Sequence, residues 1–310
     1  WAGRRLSVPT NFNQGETTMN AMNTTAITAP SISSASMLVE LSISVWTARK
    51  KDRTVSDEVT ASKHAKSGVA NVTKKLLDCD ELIAIQKFAS NARTSHYAST
   101  LPWSDSGIRL LPTARYFDYH NQMTGLQAEF ERLVEAFLAA YNWEVMDAQV
   151  SLGDMFDRDE YPTVDTLRSK FAFRLNYIPV PDVGDWRVDM EREAQDTLRE
   201  QYQSFYENQM GRAMGDLNER LREQLERMVA QLEVSETRKG KVFQSTIDNI
   251  GNLIDLLGAT NYTNDPQLAL AEAKLRASLY GASKDDLVKN PDYREATRKS
   301  VEEAIAALPG

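Results

Sequence analysis

Residues 186–233 read WRVDMEREAQDTLREQYQSFYENQMGRAMGDLNERLREQLERMVAQLE, from Trp186 to Glu233, with no proline anywhere in the run. Nearly every residue from Arg187 onward is a good helix former, so summed propensity predicts one long α-helix. Only Gly211 and Gly215 argue against it. Met190, Ala194, Leu198, Tyr202 and Phe205 fall on one face at helical spacing, and Leu217, Leu221, Leu225, Met228 and Leu232 form a second stripe. At about 100° per residue the second stripe lies roughly 160° from the first, so a straight helix would bury opposite faces at its two ends. The pattern averages about 3.8 residues per repeat, not the 3.5 of a left-handed coiled coil. The expectation is two amphipathic halves joined at Gly211-Arg-Ala-Met-Gly215, where a bend or a change of packing partner accounts for two glycines that each cost about 1 kcal/mol in a helix.

Working outward, Pro179-Val-Pro-Asp-Val-Gly-Asp185 is a candidate boundary. It separates an α+β portion, 37–181, from an all-helical portion, 185–310. After the long helix, Val242 to Leu257 repeats at close to 3.6 residues with Gly258 as its C-cap. Asp265-Pro266 and Asn290-Pro291 open two further helices.

Before the boundary, Val39, Leu41, Ile43 and Val45 alternate with Glu40, Ser42 and Ser44, which predicts a half-buried strand from Met37 to Trp46. Helices are expected at Ser56–Leu77 and Asp80–Thr100, the second with Asp80 as N-cap and Leu82, Ile85, Phe88 and Ala89 facing inward. Gly107–Pro112 reads as a strand. A helix from Ala114 to about Asp147 turns Leu126, Phe130, Leu133, Phe137 and Tyr141 to the core. A capped segment, Thr163–Lys170, precedes a third strand in which Phe171, Phe173, Leu175 and Tyr177 alternate with polar positions. The fold class is therefore α+β and predominantly α-helical: a small sheet of about three strands packed by helices, then a long helix and C-terminal helices.

The 310 residues are 42% hydrophobic, enough for a sizeable core, and the net charge of −8 provides no global attraction to nucleic acid or anionic membrane. No apolar run approaches the length of a membrane span, and no secretory signal follows Arg4 and Arg5. Residues 1–36 are poor in apolar periodicity and are expected to be disordered. Gln14-Gly-Glu16 can be encoded by a purine-rich ribosome-binding sequence just upstream of Met19 and Met22, so residues 1–18 read as a translated leader; a disordered tail is the alternative. The single cysteine, Cys79, fits a reducing cytosol and a small buried hydrophobe.

Arg49, Lys50, Lys51 and Arg53 place four cations in five positions at a strand end. With Lys63 and Lys66, and with Lys74 and Lys75, they form the candidate nucleic-acid-binding set; a solvated loop is the plain alternative. The acidic group Asp154, Asp157, Asp159 and Glu160 fails as an EF-hand, because Pro162 takes the glycine position and Arg168 the bidentate-Glu position. His64, His96 and His120 lie far apart, with one or more on a helix surface by default, so no metal site is expected. No nucleophile elbow, P-loop or dinucleotide fingerprint occurs. No catalytic residue and no cofactor are expected, although a site assembled from distant residues would leave no trace in sequence.

Leu38 to Asp52, Phe171 to Pro181 and the long polar helix together resemble a family of uncharacterised phage and bacterial proteins known only as a domain of unknown function. That family carries no established catalytic residues to transfer. Its members occur near AAA+ ATPase and von Willebrand A-type genes, which implies an adaptor role. The expected function is a non-enzymatic helical interaction protein in the bacterial cytoplasm, engaging a protein partner or another copy of itself and no membrane. Nucleic-acid binding through the basic segment is the alternative, and an enzyme with a hidden site comes third.

Overall fold

The computed structural model describes residues 32–181, 192–233, 243–262, 264–279 and 281–308, and backbone alone at 192–196, 198, 199 and 307. Residues 1–31 of the expected disordered segment, the leader among them, and the side chains of Met190, Ala194 and Leu198 lie outside what is described; residues 32–36, also expected to be disordered, are instead ordered, because Ser36 already pairs with Pro112 in the sheet.

A short turn of helix, α1 (Ile32–Ala35), leads into β1 (Ser36–Ser44), around which the sheet is built. β1 pairs antiparallel on one side with β5 (Arg109–Pro112) and on the other with β6 (Ala172–Pro179), while β4 (Leu101–Pro102) pairs with β5. The sheet order is β4-β5-β1-β6. Strand alternation distributes the side chains. Val39 and Leu111 meet Tyr119 and Met123 of α4 (Tyr116–Leu152), whereas Leu38 and Leu110 face the C-terminal helices. Ile43 and Phe173 join Leu82 and Ile85 of α3 (Asp80–Ser99) and Phe130, Phe137 and Tyr141 of α4 in a further core.

A second, two-stranded sheet pairs β2 (Arg49–Asp52) with β3 (Val72–Lys75). This corrects two expectations. The basic segment is a strand and not a loop, and the helix expected at Ser56–Leu77 is α2 (Arg53–Ser62), ending fifteen residues early. The segment after Ser62 has no apolar face to bury. His64 and Gly68 take left-handed φ values of +51° and +84°, and β-branched Val72 and Thr73 pair with β2 instead. Ser56 Oγ closes the connection by accepting from the Val72 amide at 2.9 Å. At α3, Cys79 and not Asp80 takes the N-cap position, without a side-chain hydrogen bond; Asp80 and Glu81 sit in the first turn, where the helix dipole favours them. Phe88 is only partly buried, and Ala92 and His96 complete the inner face.

The C-terminal helices are α6 (Arg192–Leu232), α7 (Gln244–Thr260), α8 (Pro266–Leu279), α9 (Lys284–Lys289) and α10 (Pro291–Ala307); α5 (Val164–Arg168), capped by Thr163, precedes β6. Asp265 and Asn290 accept from Gln267 and Tyr293 amides at 2.8 and 3.1 Å, as their sequence positions predict. Gly258 lies inside α7, not at its cap. A Cβ there would meet the Glu272 carboxylate of α8 at 2.6 Å, so the Glu272 side chain lies directly over this glycine.

The long helix differs from its expected two-faced form. Tyr206, Ala213, Leu217, Leu221, Leu225, Met228 and Leu232 are all buried, and at 100° per residue they fall within an arc of about 120°. The seam thus runs past both glycines on one side, and the first-stripe residues Tyr202 and Phe205 remain 38% and 46% exposed. α6 is continuous through Gly211 and Gly215, and a Cβ at either would meet nothing within 4 Å, so close approach of a neighbouring helix does not explain them. Gly211→Ala and Gly215→Ala are each expected to stabilise the fold by about 0.5–1 kcal/mol in urea unfolding. Destabilisation by either would show that the glycine is required where it stands.

The seam reaches back to the sheet. Leu38, Leu101, Trp103 and Leu110 share one buried cluster with α6, α7, α8, α9 and α10. Arg220 of α6 donates to the carbonyls of Tyr97 and Thr100, at 2.8 and 3.2 Å, at the C-terminus of α3. Arg109 of β5 reaches the same Thr100 through its hydroxyl and its carbonyl, at 2.7 and 2.9 Å. Two cations therefore cover the negative end of α3. Tyr206 Oη donates to Pro181 O at 2.8 Å.

Candidate interaction surfaces

Strand pairing decides which cations of the basic segment meet. Arg49 lies opposite Lys75 and Lys50 opposite Lys74. Like charges directly opposite one another are destabilising, and the Lys50–Lys74 pair is relieved by one carboxylate. Glu160 lies 2.6 Å from the Lys74 ammonium and 3.5 Å from that of Lys50. Lys74, only 8% exposed, also donates to Met155 O at 2.8 Å and stands 3.9 Å from Asp52. The acidic loop is therefore the counter-charge of the basic ribbon, a pairing across more than eighty residues that spacing could not reveal.

An open cleft of about 860 Å³ lies between the ribbon, the start of α2 and this loop. It brings Lys50, Lys51, Arg53 and Lys74 together, but Glu58, Asp154, Asp157 and Glu160 line it as well. Its charge is mixed, unlike a phosphate channel. Arg49, Lys63 and Lys66 do not line it; they are exposed elsewhere on the ribbon and beyond α2. Lys75 is held by Asp78 at 3.1 Å.

Among the described residues, no group of His, Cys, Asp and Glu could hold a metal ion. The histidines are not all surface groups: His96 is 2% exposed, and its Nδ1 lies 2.7 Å from Tyr119 Oη. Burial, with a smaller contribution from the Arg109 charge, lowers the His96 pKa to about 4. His120 Nδ1 contacts Tyr177 Oη at 3.1 Å on a half-buried aromatic ledge with Tyr116. Cys79 is buried and its thiol is pushed up to about 11, chiefly by desolvation, which suits an inert side chain.

A different surface was not singled out from the sequence. While Phe130, Val134, Phe137, Leu138, Tyr141, Val145 and Ala148 point α4 inward, Ala136, Ala139, Trp143, Met146 and Val150 form a stripe on its opposite side. Trp143 is 72% exposed, Met146 60% and Val150 83%. Their steps of three, four, three and four residues are those of a helix-packing seam. The signal was present in the sequence, since Ala136–Tyr141 is apolar without a break and must show apolar residues on more than one face. Beside the stripe, Glu144 and Asp147 of α4 approach Asp80 and Glu81 of α3. The Glu144 carboxyl is pushed up by desolvation first, then by the charges of Glu81, Asp147 and Asp80.

The molecule is a helix-dominated α+β protein with a small antiparallel sheet, and no described helix is long and apolar enough to cross a membrane. The chain belongs to the family described as Protein of unknown function (DUF3150), whose model matches residues 34–298. No curated protein and no solved structure matches it.

Proposed function

We propose that this chain is a non-enzymatic interaction protein, an adaptor whose docking surface is the outer face of α4. The observation carrying this reading is the exposure of Trp143, Met146 and Val150 in one helical register. Side chains of this size in a contiguous stripe mark interaction sites more often than isolated exposed residues do. Phage origin, a bacterial cytoplasmic setting and self-association belong to the same proposal and rest on the family resemblance and its gene neighbourhood.

A second reading, nucleic-acid binding, is favoured by Arg49, Lys51 and Arg53, which are exposed and for which no ion pair is found among the described residues. It is the weaker reading, because Glu160, Asp52 and Asp78 already pair with Lys50, Lys74 and Lys75.

Affinity capture from the native host, with and without nuclease, tests both. Partners that survive nuclease but are lost with Trp143→Ser/Met146→Ser support the adaptor reading. Partners lost on nuclease treatment and with Arg49→Glu/Lys51→Glu support the second. An identical set from the α4 variant and the native chain would count against the first.

A further inference from the structure

The α4 stripe lies in an acidic setting that selects among occupants. Glu144 and Asp147 adjoin Trp143 and Met146 along α4, the charges of Asp80 and Glu81 at the start of α3 act on Glu144, and no described ion pair involves any of the four. Farther along the same helix, Arg132 is already bound by Glu129 at 2.6 and 2.7 Å and Arg168 by Glu135, leaving Glu131 as a further acidic flank. From Ala136 to Val150 the stripe is about 21 Å long, some four helical turns. A mid-helix surface offers no free backbone hydrogen-bonding groups to an extended peptide, and its three-four spacing matches the knobs of another helix.

Resting on the reading of α4 as the docking surface, we propose that its occupant is a cationic amphipathic helix, with an apolar stripe on Trp143, Met146 and Val150 and Lys or Arg flanks facing Asp80, Glu81, Glu144 and Asp147. A second copy of this chain fits less well. Its own α4 carries Glu131, Glu144 and Asp147 without a described ion pair, so a second copy would bring further carboxylates and no compensating cations to the stripe. An anionic membrane surface is disfavoured for the same reason.

The test uses the full chain and two synthetic amphipathic helices of about four turns, one Leu/Lys and one Leu/Glu in the same pattern, titrated calorimetrically at low and high salt. The Leu/Lys peptide is expected to bind about tenfold or more tightly than the Leu/Glu peptide, and to weaken about tenfold at high salt or in Glu144→Gln/Asp147→Asn. It should be lost in Trp143→Ala/Met146→Ala, whose substituted side chains are exposed and leave the core intact. Equal affinity for both peptides, lost in that variant, would overturn the charge inference and leave the docking reading standing. Dimerisation of the native chain, abolished in that variant, would have the same consequence, with a second copy as occupant. Binding of the Leu/Lys peptide that ignores the α4 variant would remove the docking reading as well. No binding of either peptide overturns the inference.

Discussion

Glu160→Ala is expected to destabilise the fold by about 3 kcal/mol, because it strips the nearly buried Lys74 ammonium of its partner at 2.6 Å. Breaking such a pair costs more than the pair contributes, since the remaining charge stays in a poorly solvated place. Here the loss falls at the lower end of that range, because Asp52 at 3.9 Å and Met155 O at 2.8 Å still face Lys74. Lys50, opposite Lys74 in the ribbon, would also lose its screening. Urea unfolding of Glu160→Ala, Lys74→Met and the double variant forms the test. The double variant should recover most of the loss, because no buried charge is left unpaired. Equal losses in Glu160→Ala and the double variant would mean that Glu160 acts through packing and not through charge.

Acid is expected to weaken the fold through His96 before the carboxylates titrate. Its folded pKa is about 4 against an ordinary 6.5. The unfolded chain therefore takes up the proton first as pH falls. The stabilisation is fully present above about pH 6.5 and is lost as pH falls toward 4, by about 3 kcal/mol in total. The cause is burial, for the ring sits 2% exposed against Tyr119, with Arg109 nearby as a second unfavourable charge. His96→Gln, measured against the native chain by chemical unfolding at several pH values between 4 and 7, should have the flatter profile. Parallel profiles would show that His96 is protonated in the folded state without penalty.

Much of the architecture was legible because it rests on local periodicity. The alternation around Val39 to Val45 becomes β1, the Phe171 to Tyr177 alternation becomes β6, and Leu217 to Leu232 is the buried seam of α6. Caps at Thr163, Asp265 and Asn290 act where they were read, because each needs only its own next few amides. The errors arose where distant residues decide. Residues 63–75 read as helix, and β3 exists only because β2 offers it an edge. The first stripe of α6 reads as well as the second, yet Tyr202 and Phe205 stay 38% and 46% exposed. Nothing local marks His96 as the buried histidine; Tyr119 and Arg109, far along the chain, close over it. In the candidate site, the cations of 49–53 were identified by composition, but their neutralising partner Glu160 was not. The α4 stripe was hidden by the equally apolar inner face of the same helix.

By itself, the sequence determined the principal strands and helices, the long helix and the helical majority, because each depends on neighbours a few residues away. Only the tertiary structure decided that Lys74 meets Glu160, that the described part of α6 buries one continuous seam from Tyr206 to Leu232, and that Trp143, Met146 and Val150 stay outside. Those outcomes depend on which surfaces find a cover, and burial is a property of the assembled fold that no local pattern contains.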